Sequence, residues 1–284
     1  MVDHVEIFEV GPRDGLQNEP KPITTEAKIA LVDLLSQAGF GRIEVASFVS
    51  PKWVPQMAGS AEVLAGITRV PGISYAALTP NMKGFEGALA AKADEIAIFG
   101  SASEGFSKSN LNATRAEALA RFAPVAEAAK AAGIPVRGYV SCVTDCPFDG
   151  AVAPEDVSKA VASMRDLGCY EVSLGDTLGR GTPERVDAML TAVLRELDAS
   201  KLAGHFHDTA GRALDNIDVS LARGLRVFDA AVGGLGGCPY APGAAGNVAT
   251  ERVARHVAAL GYQTGLDLSV IDKAAELARG MRHV

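Results

Sequence analysis

Two histidines stand two residues apart, His205 and His207, in a chain that holds only five. On an extended segment residues i and i+2 share a face, so both imidazoles can reach one metal ion. The alternative is one buried, hydrogen-bonded imidazole and one that faces solvent. Asp14 offers the carboxylate that a divalent ion accepts beside nitrogen ligands. With Arg13 it stands between Gly11-Pro12 and Gly15. A plain surface ion pair is the ordinary reading of such neighbours. Here the two side chains are expected to diverge, one toward a metal and the other toward a substrate oxyanion. The third signal is the uncharged stretch GGLGGCPYAPGAAGN, residues 233–247. It reads as a flexible linker, yet Cys238 lies in its middle with no packing reason to be there. Backbone N–H groups around it favour the thiolate, and Asn247 at its end offers an amide oxygen to a metal shell. Cys142 and Cys146, spaced CxxxC, match neither a zinc nor a thioredoxin motif. With Cys169 they read as structural.

Such groups need a frame that brings distant segments together. Eight β-branched or apolar runs read as strands: 5–10, 42–46, 74–78, 95–99, 136–141, 171–174, 203–207 and 227–232. Helical spacing of apolar residues marks 25–37, 115–132, 154–167, 183–197 and 214–223. Gly39, Gly133 and Gly224 stand where left-handed caps close helices, and Pro154 and Pro183 stand near helix starts. Strands alternating with helices imply a parallel sheet with right-handed crossovers, and eight units suit an α/β (β/α)₈ TIM barrel. One catalytic domain is expected over 1–284, with a short helical extension from about 262 to 284. An open doubly wound sheet is the competing fold. Against it, the turn after the first strand reads VGPRDGLQNE, which is no dinucleotide fingerprint. A barrel places its active site at the C-terminal strand ends. There the chain puts Arg13-Asp14, Glu44, Arg137, Asp176-Thr177, His205 and His207. Glu44 alternates with Ile43 and Val45, so it is expected to face the barrel interior.

Composition narrows the class. The 284 residues are 48% hydrophobic and 21% charged, which supplies a large core and excludes a disordered chain. Four cysteines are too few for a disulfide framework. Net charge is −7 with no basic run, which argues against nucleic acid or an anionic membrane as partner. The uncharged span 230–250 carries six glycines and two prolines, so it reads as a loop rather than a membrane helix. The N-terminal segment has no apolar signal core, and a cytoplasmic location is expected.

The segments GPRDGLQNE, IEVASFVSPKWVPQM, ASEGFSKSN, RGYVSC, SLGDTLGRGTPE, HFHDT and GGLGGCPYAPGAAGNVATE closely resemble the 3-hydroxy-3-methylglutaryl-CoA lyases. These are metal-dependent lyases related to Claisen-condensing enzymes on (β/α)₈ barrels. The resemblance runs from about residue 5 to 265. The cysteine-containing glycine loop is specific to the lyases, and the condensing relatives add a large C-terminal region. The resemblance implies metal ligands at Asp14, His205, His207 and Asn247. It implies catalytic roles for Arg13, Asp14, Glu44, Asp176, His205 and Cys238. It further implies substrate contacts at Arg13, Gln17, Ser47, Asn110, Arg137 and Thr177. One departure is VTDCPFDG after Cys142, where Asp145 can alter the barrel mouth. The absence of a mitochondrial leader and of a C-terminal cysteine fits a bacterial-type cytoplasmic enzyme.

The implied reaction is retro-Claisen cleavage of (S)-3-hydroxy-3-methylglutaryl-CoA to acetyl-CoA and acetoacetate with Mg²⁺ or Mn²⁺. The family's setting is leucine degradation and ketone-body formation. In that scheme Arg13 holds the thioester oxygen, and His205, partnered by Asp176, takes the hydroxyl proton. Asp14 is the rival base. Cys238 protonates the enolate, and Glu44 orients Arg13 or relays a proton. Competing readings are another acyl-CoA such as citramalyl-CoA, a pyruvate-releasing aldolase, or a catalytically dead barrel. The expected partners are an acyl-CoA and further copies of the chain, as a dimer or larger.

Overall fold

The eight apolar runs form eight parallel strands: β1 (Glu6–Glu9), β2 (Arg42–Ser47), β3 (Ser74–Leu78), β4 (Glu95–Ser101), β5 (Val136–Ser141), β6 (Glu171–Asp176), β7 (Leu202–Phe206) and β8 (Val227–Ala230). A computed structural model describes residues 3–238 and 241–282, with the backbone course alone at 238 and 241–245. Each strand pairs with its sequence neighbours, and β1 pairs with β8 from Glu6↔Val227 to Glu9↔Ala230. That pairing closes the sheet into a barrel and excludes the open alternative. Every strand lies within two residues of its expected span.

Helices surround the barrel, and α4 among them reaches the cleft: α1 (Thr25–Leu35), α2 (Ser60–Gly66), α3 (Met82–Ala90), α4 (Glu104–Leu111), α5 (Arg115–Ala131), α6 (Pro154–Asp166), α7 (Pro183–Val193), α8 (Ala213–Ala222), α9 (Thr250–Ala259) and α10 (Leu268–Met281). Local chemistry sets their ends. Thr24 caps α1, and Thr114 with Glu117 forms a capping box on α5. Pro154 and Pro183 open α6 and α7. Gly39 and Gly224 take positive φ, +91° and +94°, as the left-handed caps require. The C-terminal α10 buries Ile271, Ala274, Ala275, Ala278 and Met281 against α1 and the 232–234 turn. Among the described residues no helix is long and apolar enough to cross a membrane.

The barrel interior carries charge in its middle. Arg137 on β5 is 1% exposed and donates to Glu171 on β6 (2.6 Å) and Asp229 on β8 (2.7 and 3.1 Å). Its guanidinium also stands 4.5 Å from the Phe8 ring centre and 4.9 Å from that of Tyr139. A buried cation needs this full pairing to be tolerated.

Glu9, at the end of β1, is fully buried and ties three segments together. It accepts from the N–H of Gly11 (2.7 Å), the N–H of Val232 (3.0 Å) and the hydroxyl of Thr250 (2.6 Å). Burial outweighs these bonds and raises its pKa from 4.5 to about 7. The folded protein therefore binds this proton more tightly than the unfolded chain does. The resulting stability is complete below pH 4.5 and is lost as pH rises through about 7, by about 3 kcal/mol. Glu9→Gln should flatten this slope. Urea unfolding at pH 5 and pH 8 tests it, and equal pH slopes in parent and variant contradict it.

Candidate active site

After β1 the chain makes one wide turn, in which the N–H groups of Asp14 and Gly15 both reach the Val10 carbonyl (2.8 and 3.2 Å). Glycine is required at 15, because a Cβ there would lie 2.6 Å from Leu235 Cβ. The turn delivers Arg13 and Asp14 to a cleft of about 660 Å³ at the C-terminal end of the barrel. Tyr139, His205 and His207 line the same cleft.

The two histidines do share one face. One ligand atom each of Asp14, His205 and His207 lies within 4.8 Å of the others, and the imidazole centres are 5.4 Å apart. His205 Nε2 is 3.9 Å from Asp14 Oδ2. Its Nδ1 lies 3.1 Å from Asp229 Oδ2, which fixes the ring. His207 Nδ1 is buried with no hydrogen-bond partner. Burial and the neighbouring His205 lower the His207 pKa to about 4, so the ring is neutral near pH 7. Burial also works against protonation of His205, but Asp229 outweighs it and raises the pKa. Burial would raise the Asp14 pKa, yet Arg13 and the two imidazoles hold it at about 2. An anionic carboxylate beside two imidazoles, one of them unpartnered, is a donor set that fits a divalent cation. Asn247 lies at the same place. Its backbone bridges His207, and its amide donates to Asp14 Oδ2 at 2.8 Å.

Arg13 and Asp14 do not diverge as their neighbouring positions suggest. Arg13 Nη1 donates to Asp14 Oδ1 at 2.8 Å, a bond that holds the two side chains together at the wide turn. Arg13 Nε and Nη2 grip Glu44 Oε2 at 2.6 and 2.5 Å. Glu44 is fully buried and faces inward, as its alternation with Ile43 and Val45 implies.

Further sequence expectations are corrected. Asp176 is not the partner of His205. It accepts from Thr144 Oγ1 and the Gly181 N–H, both at 2.8 Å, and so pins the loop after β6. Asp229 on the adjacent strand takes the place beside His205, since the register sets Asp229 opposite His205. Arg137 does not line the cleft, because its donors are taken up by Glu171 and Asp229 one layer below. Gln17, Asn110 and Thr177 do line it. Ser47 is 1% exposed and stands outside the lining. Asp145 pairs with Arg185 at 2.6 Å, also outside it. Cys142, Cys146 and Cys169 are buried, as expected of structural thiols. The side chain of Cys238 lies outside the described residues. Sequence reasoning passed over Asp229 and Tyr139. The only signal for Asp229 was a lone charged group in an otherwise apolar strand, and Tyr139 was overshadowed by Arg137 on the same strand.

A family model described as HMGL-like matches residues 4–278. The chain is 55% identical over 272 residues to the 3-hydroxy-3-isohexenylglutaryl-CoA/hydroxy-methylglutaryl-CoA lyase of Pseudomonas aeruginosa, covering 96% of this chain and 91% of that protein. It is 55% identical over 264 residues to the mitochondrial hydroxymethylglutaryl-CoA lyase of Gallus gallus, covering 93% and 89%. The crystal structure of the HMG-CoA lyase from Brucella melitensis matches with a TM-score of 0.98 at 58% identity, covering 99% of this chain and all of that one.

Proposed function

The chain belongs to the HMGL-like family, and from that premise we propose that it is a carbon–carbon lyase cleaving (S)-3-hydroxy-3-methylglutaryl-CoA to acetyl-CoA and acetoacetate. The observation that carries this reading is the meeting of two devices in one cleft. One is the Asp14–His205–His207 cluster, and the other is the Arg13 guanidinium braced by Glu44.

Asp14, His205 and His207 would hold the metal, with Asn247 as fourth ligand after a half-turn of its amide. A bound Mg²⁺ or Mn²⁺ supplies Lewis acidity that makes the substrate 3-hydroxyl more acidic and fixes its orientation. Arg13 presents its remaining N–H groups to the thioester oxygen, where charge develops as the C2–C3 bond breaks. His205 has Nδ1 engaged by Asp229, so a single nitrogen faces the cleft. One nitrogen cannot both ligate and accept a proton. Asp14 has a second oxygen, Oδ1, which accepts from Arg13 Nη1 at 2.8 Å, and that oxygen is the proposed acceptor for the hydroxyl proton. Cys238 is the proposed donor of the proton to C2, since its neighbour Gly237 lines the cleft. Cys142 and Cys169 are unsuited to that role, because burial pushes the first far up and the second to about 12.

A second reading is the same cleavage on a substrate with a bulkier 3-alkyl group. Leu78, Phe99 and Phe106 give the cleft an apolar wall, and the Pseudomonas aeruginosa relative is named for such a thioester. Purified protein supplied with Mg²⁺ or Mn²⁺ should release acetyl-CoA from (S)-3-hydroxy-3-methylglutaryl-CoA. A panel with longer 3-alkyl and citramalyl thioesters ranks the alternatives. No release from the methylglutaryl thioester, with release from another, rejects the first reading.

A further inference from the structure

Tyr139 has no part in the scheme above, yet its surroundings suit a catalytic group. It sits on β5, is 8% exposed and lines the cleft beside His205. Its hydroxyl is buried and finds no hydrogen-bond partner in the protein. A buried hydroxyl left unsatisfied is costly to keep, so its retention calls for a reason. Its ring is held from three sides. The Arg13 guanidinium lies 5.6 Å from the ring centre, the Arg137 guanidinium 4.9 Å, and the His205 ring meets it edge-on at 6.2 Å. These contacts fix the ring beside the very group that faces the thioester.

Arg13 itself has few donors to spare, because Nε and Nη2 grip Glu44 and Nη1 holds Asp14. We infer that the Tyr139 hydroxyl is the second donor to the thioester oxygen, completing with Arg13 an oxyanion hole for the acyl-CoA enolate. This rests on the lyase reading above. As the C2–C3 bond breaks, its electron pair moves through C2 onto the thioester oxygen while the 3-hydroxyl loses its proton. C2 then takes a proton to become the methyl group of acetyl-CoA.

Tyr139→Phe keeps the ring and its packing and deletes only the hydroxyl. With the metal-loaded enzyme, kcat should fall about 10- to 100-fold while KM changes little. The same loss should appear in exchange of the acetyl-CoA methyl protons with D₂O, followed by NMR, because that exchange passes through the same enolate. Mn²⁺ affinity should stay at the parent value, which a disturbed site would not allow. If kcat and exchange both stay within about twofold of the parent, the inference is overturned. A raised KM at unchanged kcat also overturns it, since the hydroxyl would then serve ground-state binding. A parent enzyme that releases no acetyl-CoA would overturn the lyase reading itself, and the inference with it.

Discussion

Arg13→Lys should lower kcat by about 10²–10³-fold with little change in KM, although the charge is kept. The guanidinium binds two carboxylates at once, Glu44 through Nε and Nη2 and Asp14 through Nη1. Those bonds aim its free N–H groups into the cleft. An ammonium is a single point of charge and cannot hold both carboxylates and still reach the substrate oxygen. Because Lys still partly neutralises Glu44, which is fully buried, the fold should survive. Thermal melting of the variant checks that, and steady-state kinetics reads the effect. A kcat close to the parent value would show that charge alone suffices at this position.

The second large effect is expected at Asp229, which touches no substrate. Asp229→Asn should cost about 10- to 100-fold in Mn²⁺ affinity or activity. The carboxylate orients His205 through Nδ1 at 3.1 Å while accepting from Ser173 (2.7 Å) and from Arg137. An amide offers one oxygen where four donors converge, and its NH₂ would face a cation or the imidazole. Asp176→Asn is the control, since Asp176 contacts Thr144 and Gly181 rather than His205. Mn²⁺ titration should weaken in the Asp229 variant and not in the Asp176 variant. The reverse order would restore Asp176 as the histidine's partner.

The frame was more legible than the contacts within it. All eight strands stand out because a buried parallel strand is mostly apolar, and that leaves runs such as IEVAS and EIAIF, in which a single charged residue stands among the apolar ones. Helices α2, α3, α4 and α9 went unrecognised. In α3 the cause is visible. Gly84 and Gly87 weaken a helical pattern, yet a Cβ at either would lie 3.4 Å or less from atoms of Phe48, so the helix needs them to pack. The metal-type cluster was legible because its three residues follow from strand period and strand ends. The partner of His205 was not, because it depends on which residue of β8 stands opposite β7, and no local pattern encodes that register. Arg137 misled for a related reason. An arginine in a barrel strand looks like a ligand for substrate until the two carboxylates that neutralise it, on β6 and β8, are seen.

The most direct measurement is turnover against bound metal. The protein is stripped with chelator, metal content is verified, and Mn²⁺ is added back while acetyl-CoA release from (S)-3-hydroxy-3-methylglutaryl-CoA and Mn²⁺ binding are followed together. Activity should be absent in the stripped protein and return in proportion to a single bound ion per chain, and His207→Ala should abolish both signals. Full turnover in a verified metal-free sample, or unchanged Mn²⁺ binding in the His207 variant, would contradict a metal centre built on Asp14, His205 and His207.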